Sequence, residues 1–308
     1  MHVIVLDSGM SEHQKNVCSV DIGYGTYDEN GHGTKIIDVT STVANFSKIT
    51  SIKILNRYNE CNLRDLVKAL EVCGDIDADV LCMSMVVEGN GKFRTIKKLI
   101  DYISRKGTLI VAPLHNRKDY AIPAAYKNVV GVQALSSNAV STNGCAFYSE
   151  KSKIQCQIPL SGIVCKTIGN SYAYFSGNSC ACAFFSAELL CRLRARLLSS
   201  VSDVNKLYRK IEYEDSYIFQ YLNPDTLCYK SDTFALIREK VINALEKCNY
   251  SWVSTNCLFN EVANIDLLVN KLNDIGLKIN NSAFLRISDL ESVDKLTHYL
   301  CTQNRPPI

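Results

Sequence analysis

Short runs of continuous apolar sequence constrain this chain more than any other feature. Val3-Ile4-Val5-Leu6 is such a run, and Ser51-Ile52-Lys53-Ile54-Leu55, Val80-Leu81-Cys82-Met83-Ser84-Met85, Thr108-Leu109-Ile110-Val111-Ala112 and Val129-Val130-Gly131-Val132 read as further strands along the first part. A run with little polar alternation is buried on both faces, which for a strand means a parallel sheet covered on both sides. Between the runs, Leu63 to Val72 and Phe93 to Arg105 read as helices, the first with apolar residues three and four apart. This alternation predicts an α/β fold, a doubly wound, mostly parallel sheet with helices on both faces. Ser137 to Thr167 reads as short β segments that follow it.

Four polar positions stand out, two of them, Asp7 and Asn116, where such a sheet places chemistry, outside the carboxyl ends of its strands. Asp7 closes the first run, in Asp7-Ser8-Gly9. His32 stands between two glycines at a loop-to-helix boundary, in Asp28-Glu29-Asn30-Gly31-His32-Gly33-Thr34, with backbone free to approach a substrate closely. Asn116 follows the strand at 108–112 and shares its sheet edge with Asp7. Ser179 sits in Phe175-Ser176-Gly177-Asn178-Ser179-Cys180-Ala181-Cys182-Ala183, which runs into an apolar helix reaching Leu198. Taken singly, each has an ordinary reading: Asp7 caps a turn, and Gly-x-Ser is a helix N-cap. Together they supply a nucleophile, a base, an acid to orient the base, and an oxyanion donor.

The order Asp7, His32, Ser179, in Asp-Ser-Gly, Gly-His-Gly-Thr and Gly-Asn-Ser-x-Ala contexts, resembles the subtilisin-like serine proteases from Met1 to about Leu198. The resemblance implies that Ser179 is the nucleophile, His32 the general base and then acid, and Asp7 the residue that orients the imidazole. It makes Asn116 the side-chain oxyanion donor, joined by the Ser179 amide. Met83-Ser84-Met85, with Val86 and Val87 after it, corresponds to the substrate-binding strand beside the specificity pocket, and Pro123 to a cis proline. Three departures stand out. Val86 and Val87 replace glycines and crowd the cleft floor, Arg117 and Lys118 give a basic rim that favours acidic substrate side chains, and Ala183 replaces a proline.

A formal net charge of +3, without a long block of either sign, excludes nucleic acid or a membrane surface as the expected partner. No apolar run is long enough to span a bilayer. Met1 to Leu6 is too short for a signal sequence, so the fourteen cysteines read as free thiols of a cytoplasmic protein. Their spacing matches no metal knuckle, and neither a metal nor a cofactor is expected.

The texture changes after Leu198. The expected organisation is a peptidase domain over 1–200, a linker over 201–231 and a small all-α four-helix domain over 232–308. Its helices are expected from Asp232, from about Asn264 to Ile275, in a turn near Ala283 to Leu285, and from an N-cap at Asp289 to Cys301. This part resembles an acyl or peptidyl carrier protein in Phe259 to Leu272, Gly276-Leu277-Lys278-Ile279 and Ile287 to Val293; the alternative is a small bundle of no specific ancestry. The place of the phosphopantetheine serine reads Ala263-Asn264-Ile265-Asp266, so no prosthetic arm attaches there.

The combined expectation is a serine endopeptidase that processes a specific peptide or precursor, for example by leader removal in peptide natural-product maturation. Its C-terminal domain would dock the substrate or a protein partner. Two alternatives remain at this point: a transpeptidase or ligase in which an amine resolves the acyl-enzyme, favoured by Ala183, and a non-catalytic scaffold occluded by Val86 and Val87.

Overall fold

The computed structural model describes residues 1–14, 16–87, 93–115, 121–135, 156–160, 162–208, 231–247, 265–279 and 284–303. The strands of its sheet are β1 (His2–Asp7), β2 (Val17–Val20), β3 (Lys48–Lys53), β4 (Val80–Met83), β5 (Leu109–Pro113), β6 (Val129–Leu135) and β7 (Cys156–Pro159). They lie in the order β2-β3-β1-β4-β5-β6-β7, and every pairing is parallel.

Period-two geometry explains why the central strands are apolar throughout. Val3 and Val5 of β1, Val80 and Cys82 of β4, and Leu109 and Val111 of β5 enter one core, with α1 (His32–Val43) and α4 (Gly177–Arg194). Their neighbours Ile4, Leu6, Leu81, Met83, Ile110 and Ala112 enter the other, with α2 (Leu63–Asp75) and α3 (Arg94–Arg105). Helix α4 is buried nearly all round, with Phe184 and Phe185 fully enclosed, which accounts for its lack of a polar stripe.

The doubly wound expectation agrees with this layout. Strand β2 was not foreseen: Val17-Cys18-Ser19-Val20 is a partly exposed strand at the sheet edge and has no continuous apolar run to announce it. Of the β segments expected between Ser137 and Thr167, 136–155 lies outside the described residues, and the remainder contains β7 and β8 (Ile163–Lys166). Strand β8 pairs antiparallel with β9 (Tyr172–Phe175), and this hairpin leads directly into α4.

Beyond α5 (Val201–Tyr208), the described helices are α6 (Ser231–Lys247), α7 (Ile265–Asp274) and α8 (Val293–Gln303). Their shared core holds Val241, Leu245, Leu268, Leu272, Leu296 and Leu300, and Val164 of the hairpin is buried within it. Two local expectations shift. Of the turn expected near Ala283 to Leu285, Ala283 lies outside the described residues; the short turn observed is a 3-10 helix at Ile287–Leu290, and the Leu285 carbonyl accepts from the Val164 amide. Asp289 serves that turn by accepting from the Arg286 N–H at 2.9 Å, and the last helix is capped by Ser292, whose Oγ accepts from the Lys295 N–H.

Candidate active site

Asp7 ends β1 at the point where the order of the sheet reverses, since β2 and β3 lie on one side of β1 and β4 to β7 on the other. Its backbone carbonyl accepts from the Ile54 and Leu55 amides, its Oδ1 accepts from the Ser8 N–H at 2.7 Å, and the side chain is buried. His32 is the first residue of α1, and its Nδ1 lies 2.8 Å from Asp7 Oδ1. Burial opposes the charged imidazole, but the Asp7 carboxylate more than offsets this by its charge and hydrogen bond, so the His32 pKa is raised above 6.5. Phe175 meets the imidazole edge-on, with ring centroids 5.7 Å apart.

The loop carrying His32 is fixed by a residue that the sequence reading passed over. Asp28 is fully buried; its Oδ1 accepts from Ser8 Oγ and from the Asn30 and Gly31 amides, and its Oδ2 from the Thr34 amide and hydroxyl. Ser8 Oγ in turn accepts from the Gly33 N–H at 2.8 Å. One carboxylate thus ties the residue after Asp7 to the turn around His32. An acid six residues before a threonine in the first turn of a helix was the available signal.

The glycines flanking His32 are packed closely against the protein. Gly31 has φ +84, and a Cβ there would lie 2.2 Å from Thr167 Oγ1; a Cβ on Gly33 would lie 2.4 Å from the Gly9 carbonyl oxygen.

Ser179 is half-buried in the first turn of α4, where backbone N–H groups lack intrahelical acceptors and the helix dipole favours negative charge. The preceding Asn178 is buried and joins two strand ends: its Nδ2 donates to the Leu114 carbonyl and its Oδ1 accepts from the Ala134 N–H, each at 2.9 Å. Its link to Leu114 fixes the end of the strand that leads toward position 116. Asn116 itself, with Arg117 and Lys118, lies outside the described residues.

Met83 and Met85 have their side chains in the core, and Ser84 is also buried. Val86 and Val87 are half-buried against the same core, and the Val87 amide donates to the Ile122 carbonyl at 2.7 Å. Any contact of Met83 or Met85 with substrate therefore falls to the backbone. The peptide bond Ile122–Pro123 is cis, and Ala183 is fully buried.

A cavity of about 470 Å³ opens past the end of β3, lined in part by Tyr24, Glu29, Lys53, Glu60 and Asp65. Lys53 donates to Glu29 at 2.7 Å, which leaves two further carboxylates in the lining. Among the described residues no group of three or more histidine, cysteine or acidic side chains is arranged to hold a metal, and no helix is long and apolar enough to cross a membrane.

No curated protein matches the chain. Among solved structures it is similar to a psychrophilic protease, with 20% identity and a TM-score of 0.54, over 67% of this chain and 81% of that one. It is similar also to sphericase, with 19% identity and a TM-score of 0.54, again over 67% and 81%. Residues 5–208 match the Subtilase family. That span holds all of the sheet but the first three residues of β1, together with Asp7, His32 and Ser179, and the chain belongs to the subtilases, the subtilisin-like serine endopeptidases.

Proposed function

We propose that Ser179 attacks a peptide carbonyl, that His32 takes its proton and passes it to the leaving amine, and that Asp7 holds the imidazole and stabilises its charged form. The observation carrying this is the 2.8 Å contact of His32 Nδ1 with Asp7 Oδ1, which leaves Nε2 free to act as the base. The first-turn amide of Ser179 and the side chain of Asn116 are the oxyanion donors in this reading. Among the described residues no hydrogen bond joins His32 to Ser179; such bonds commonly tighten only once substrate is bound.

The substrate is a specific peptide or precursor rather than bulk protein, cleaved in a reducing compartment and delivered by the C-terminal helices. The cysteines of the described residues are free thiols, including Cys82 and Cys182 with sulfurs 3.8 Å apart, in keeping with such a compartment. Peptide-bond hydrolysis is favoured over the scaffold reading by the set of bonds to Asp28, which fixes His32 against Asp7. The carboxylates of the cavity past β3 favour a basic side chain in the substrate.

The test is labelling by a fluorophosphonate, which reacts with an activated serine. Wild type is expected to label at one site, and Ser179→Ala and His32→Ala not to label. A folded wild type that stays unlabelled would remove Ser179 as nucleophile.

A further inference from the structure

The segment Phe284–Ile287 runs beside β8, the first strand of the two-stranded hairpin that leads to Ser179, and meets it in an isolated bridge before turning into the 3-10 helix at Ile287–Leu290. The Val164 N–H donates to the Leu285 carbonyl at 2.7 Å, the Ile287 N–H donates to the Gly162 carbonyl at 3.1 Å, and Ile163 pairs antiparallel with Arg286. Side chains on this segment enter both bodies of the protein. Phe284 meets Phe184 of α4 edge-on at 5.3 Å and is buried in the core beneath the sheet, whereas Leu285 is buried among α6, α7 and α8. On the far strand of the hairpin, the Tyr172 N–H donates to Asp266 of α7 at 2.8 Å.

Contact extends to the bend that presents Ser179. Gly162 is packed so closely that a Cβ there would lie 2.6 Å from Ile287 Cδ1 and 2.9 Å from Ser176 Cβ. Ser176 is the N-cap of α4 yet makes no side-chain capping bond, and Gly177 after it has φ +76. A bend without its usual local lock is held by what packs against it. On one side this is Asn178, bonded to Leu114 and Ala134; on the other it is Gly162, with the Ile287 side chain on the same face of that glycine as Ser176.

We propose that Phe284–Ile287 braces the nucleophile turn, with Ile287 as a positioning residue that acts through Gly162 and Ser176 on Ser179. The proposal rests on reading Ser179 as the nucleophile. It gives the C-terminal helices a role inside the peptidase, as the anchor of a segment whose seating sets the geometry of the reactive serine.

The test uses the full chain with Ile287→Val and Ile287→Ala, reading the fluorophosphonate labelling rate of the folded fraction and amide hydrogen exchange. Labelling is expected to slow about 2-fold in the valine variant and about 10-fold in the alanine variant, graded with the volume removed. Exchange in peptides covering 172–180 should quicken, while α2 and α3 exchange as in wild type. A purely structural role would lower stability without changing the labelling rate of folded molecules. Wild-type labelling and exchange in Ile287→Ala would overturn the brace. If that variant does not fold, Ile287→Val decides: unchanged labelling and exchange at 172–180 overturn the proposal, and graded slowing sustains it. If wild type itself does not label, the nucleophile assignment fails, and exchange alone decides whether Ile287 restrains the bend.

Discussion

Asp7 and Ser84 each follow the last paired position of two adjacent parallel strands, Leu6 opposite Met83, and each holds one buried oxygen without a hydrogen-bond partner among the described residues. The two oxygens are Asp7 Oδ2 and Ser84 Oγ. Strand alternation sends both side chains away from the core that holds Leu6 and Met83, so a hydroxyl rotor is placed beside a half-satisfied carboxylate. Ser84→Ala is expected to leave unfolding free energy within about 1 kcal/mol of wild type, since it removes an unsatisfied group. Labelling of Ser179 should slow 3- to 10-fold if the hydroxyl serves Asp7 during the reaction. Equal rates would assign Ser84 to packing alone.

The raised pKa of His32 sets a pH dependence. A general base must be neutral, so the labelling rate should rise with pH through a midpoint above the 6.5 of an ordinary imidazole. Asp7→Asn removes the charge responsible, and both the midpoint and the plateau should fall. For stability the sign is opposite. The contribution of the Asp7–His32 pair is complete below the unfolded pKa and is lost as pH rises through the folded one. Rate profiles of the two proteins, with urea unfolding at two pH values, measure both effects.

Asp28→Ala leaves the Ser8 hydroxyl, the Asn30, Gly31 and Thr34 amides and the Thr34 hydroxyl without their common acceptor. Loss of a buried, multiply bonded carboxylate costs about 3–5 kcal/mol. The midpoint of thermal unfolding should drop by several degrees, and the fraction that remains folded should label slowly because the His32 turn is loosened. Asp28→Asn keeps one acceptor oxygen and should fall between the two.

Asp38 on α1 receives the Lys166 N–H at 2.9 Å, yet burial pushes its pKa up to about 6. A carboxyl raised from 3.8 costs stability as pH climbs from below 4 to above 6, where the charged form must be held in place. Asp38→Asn retains an acceptor for Lys166 without that charge. The side chain is half-buried, so the expected gain is about 1 kcal/mol at pH 7, with none at pH 3. Denaturant unfolding at the two pH values checks it.

The carboxylates of the cavity past β3 predict that peptides carrying lysine or arginine near the cleaved bond react faster than matched glutamate peptides. The preference should weaken in Glu60→Gln. A preference for glutamate would point to the basic rim of Arg117 and Lys118 instead.

Legibility in the sequence followed the range of the forces involved. The central strands could be read because burial on both faces leaves an unbroken apolar run, as in Val3 to Leu6 and Thr108 to Ala112. That Asp7 ends a strand, that His32 opens a helix and that Ser179 stands in a helix's first turn could be read because each lies in a short motif with characteristic glycines. Asp28 could not: an acid in a loop looks solvated until the fold brings Ser8 and Thr34 to it. The extended course of Phe284–Ile287 was equally hidden. Local preference at Ala283 to Leu285 favours a helical turn, and the partner that overrides it, Val164, is remote in the chain.

That remote pairing has a consequence for how the protein is made. On a ribosome, β8, β9 and the turn bearing Ser179 emerge well before Phe284–Ile287, and contacts distant in sequence are the slow ones to form. With Phe284–Ile287 proposed as the brace of the Ser179 turn, synthesis runs ahead of assembly: the turn is made before the segment that would seat it, and full reactivity is expected only once that late segment docks.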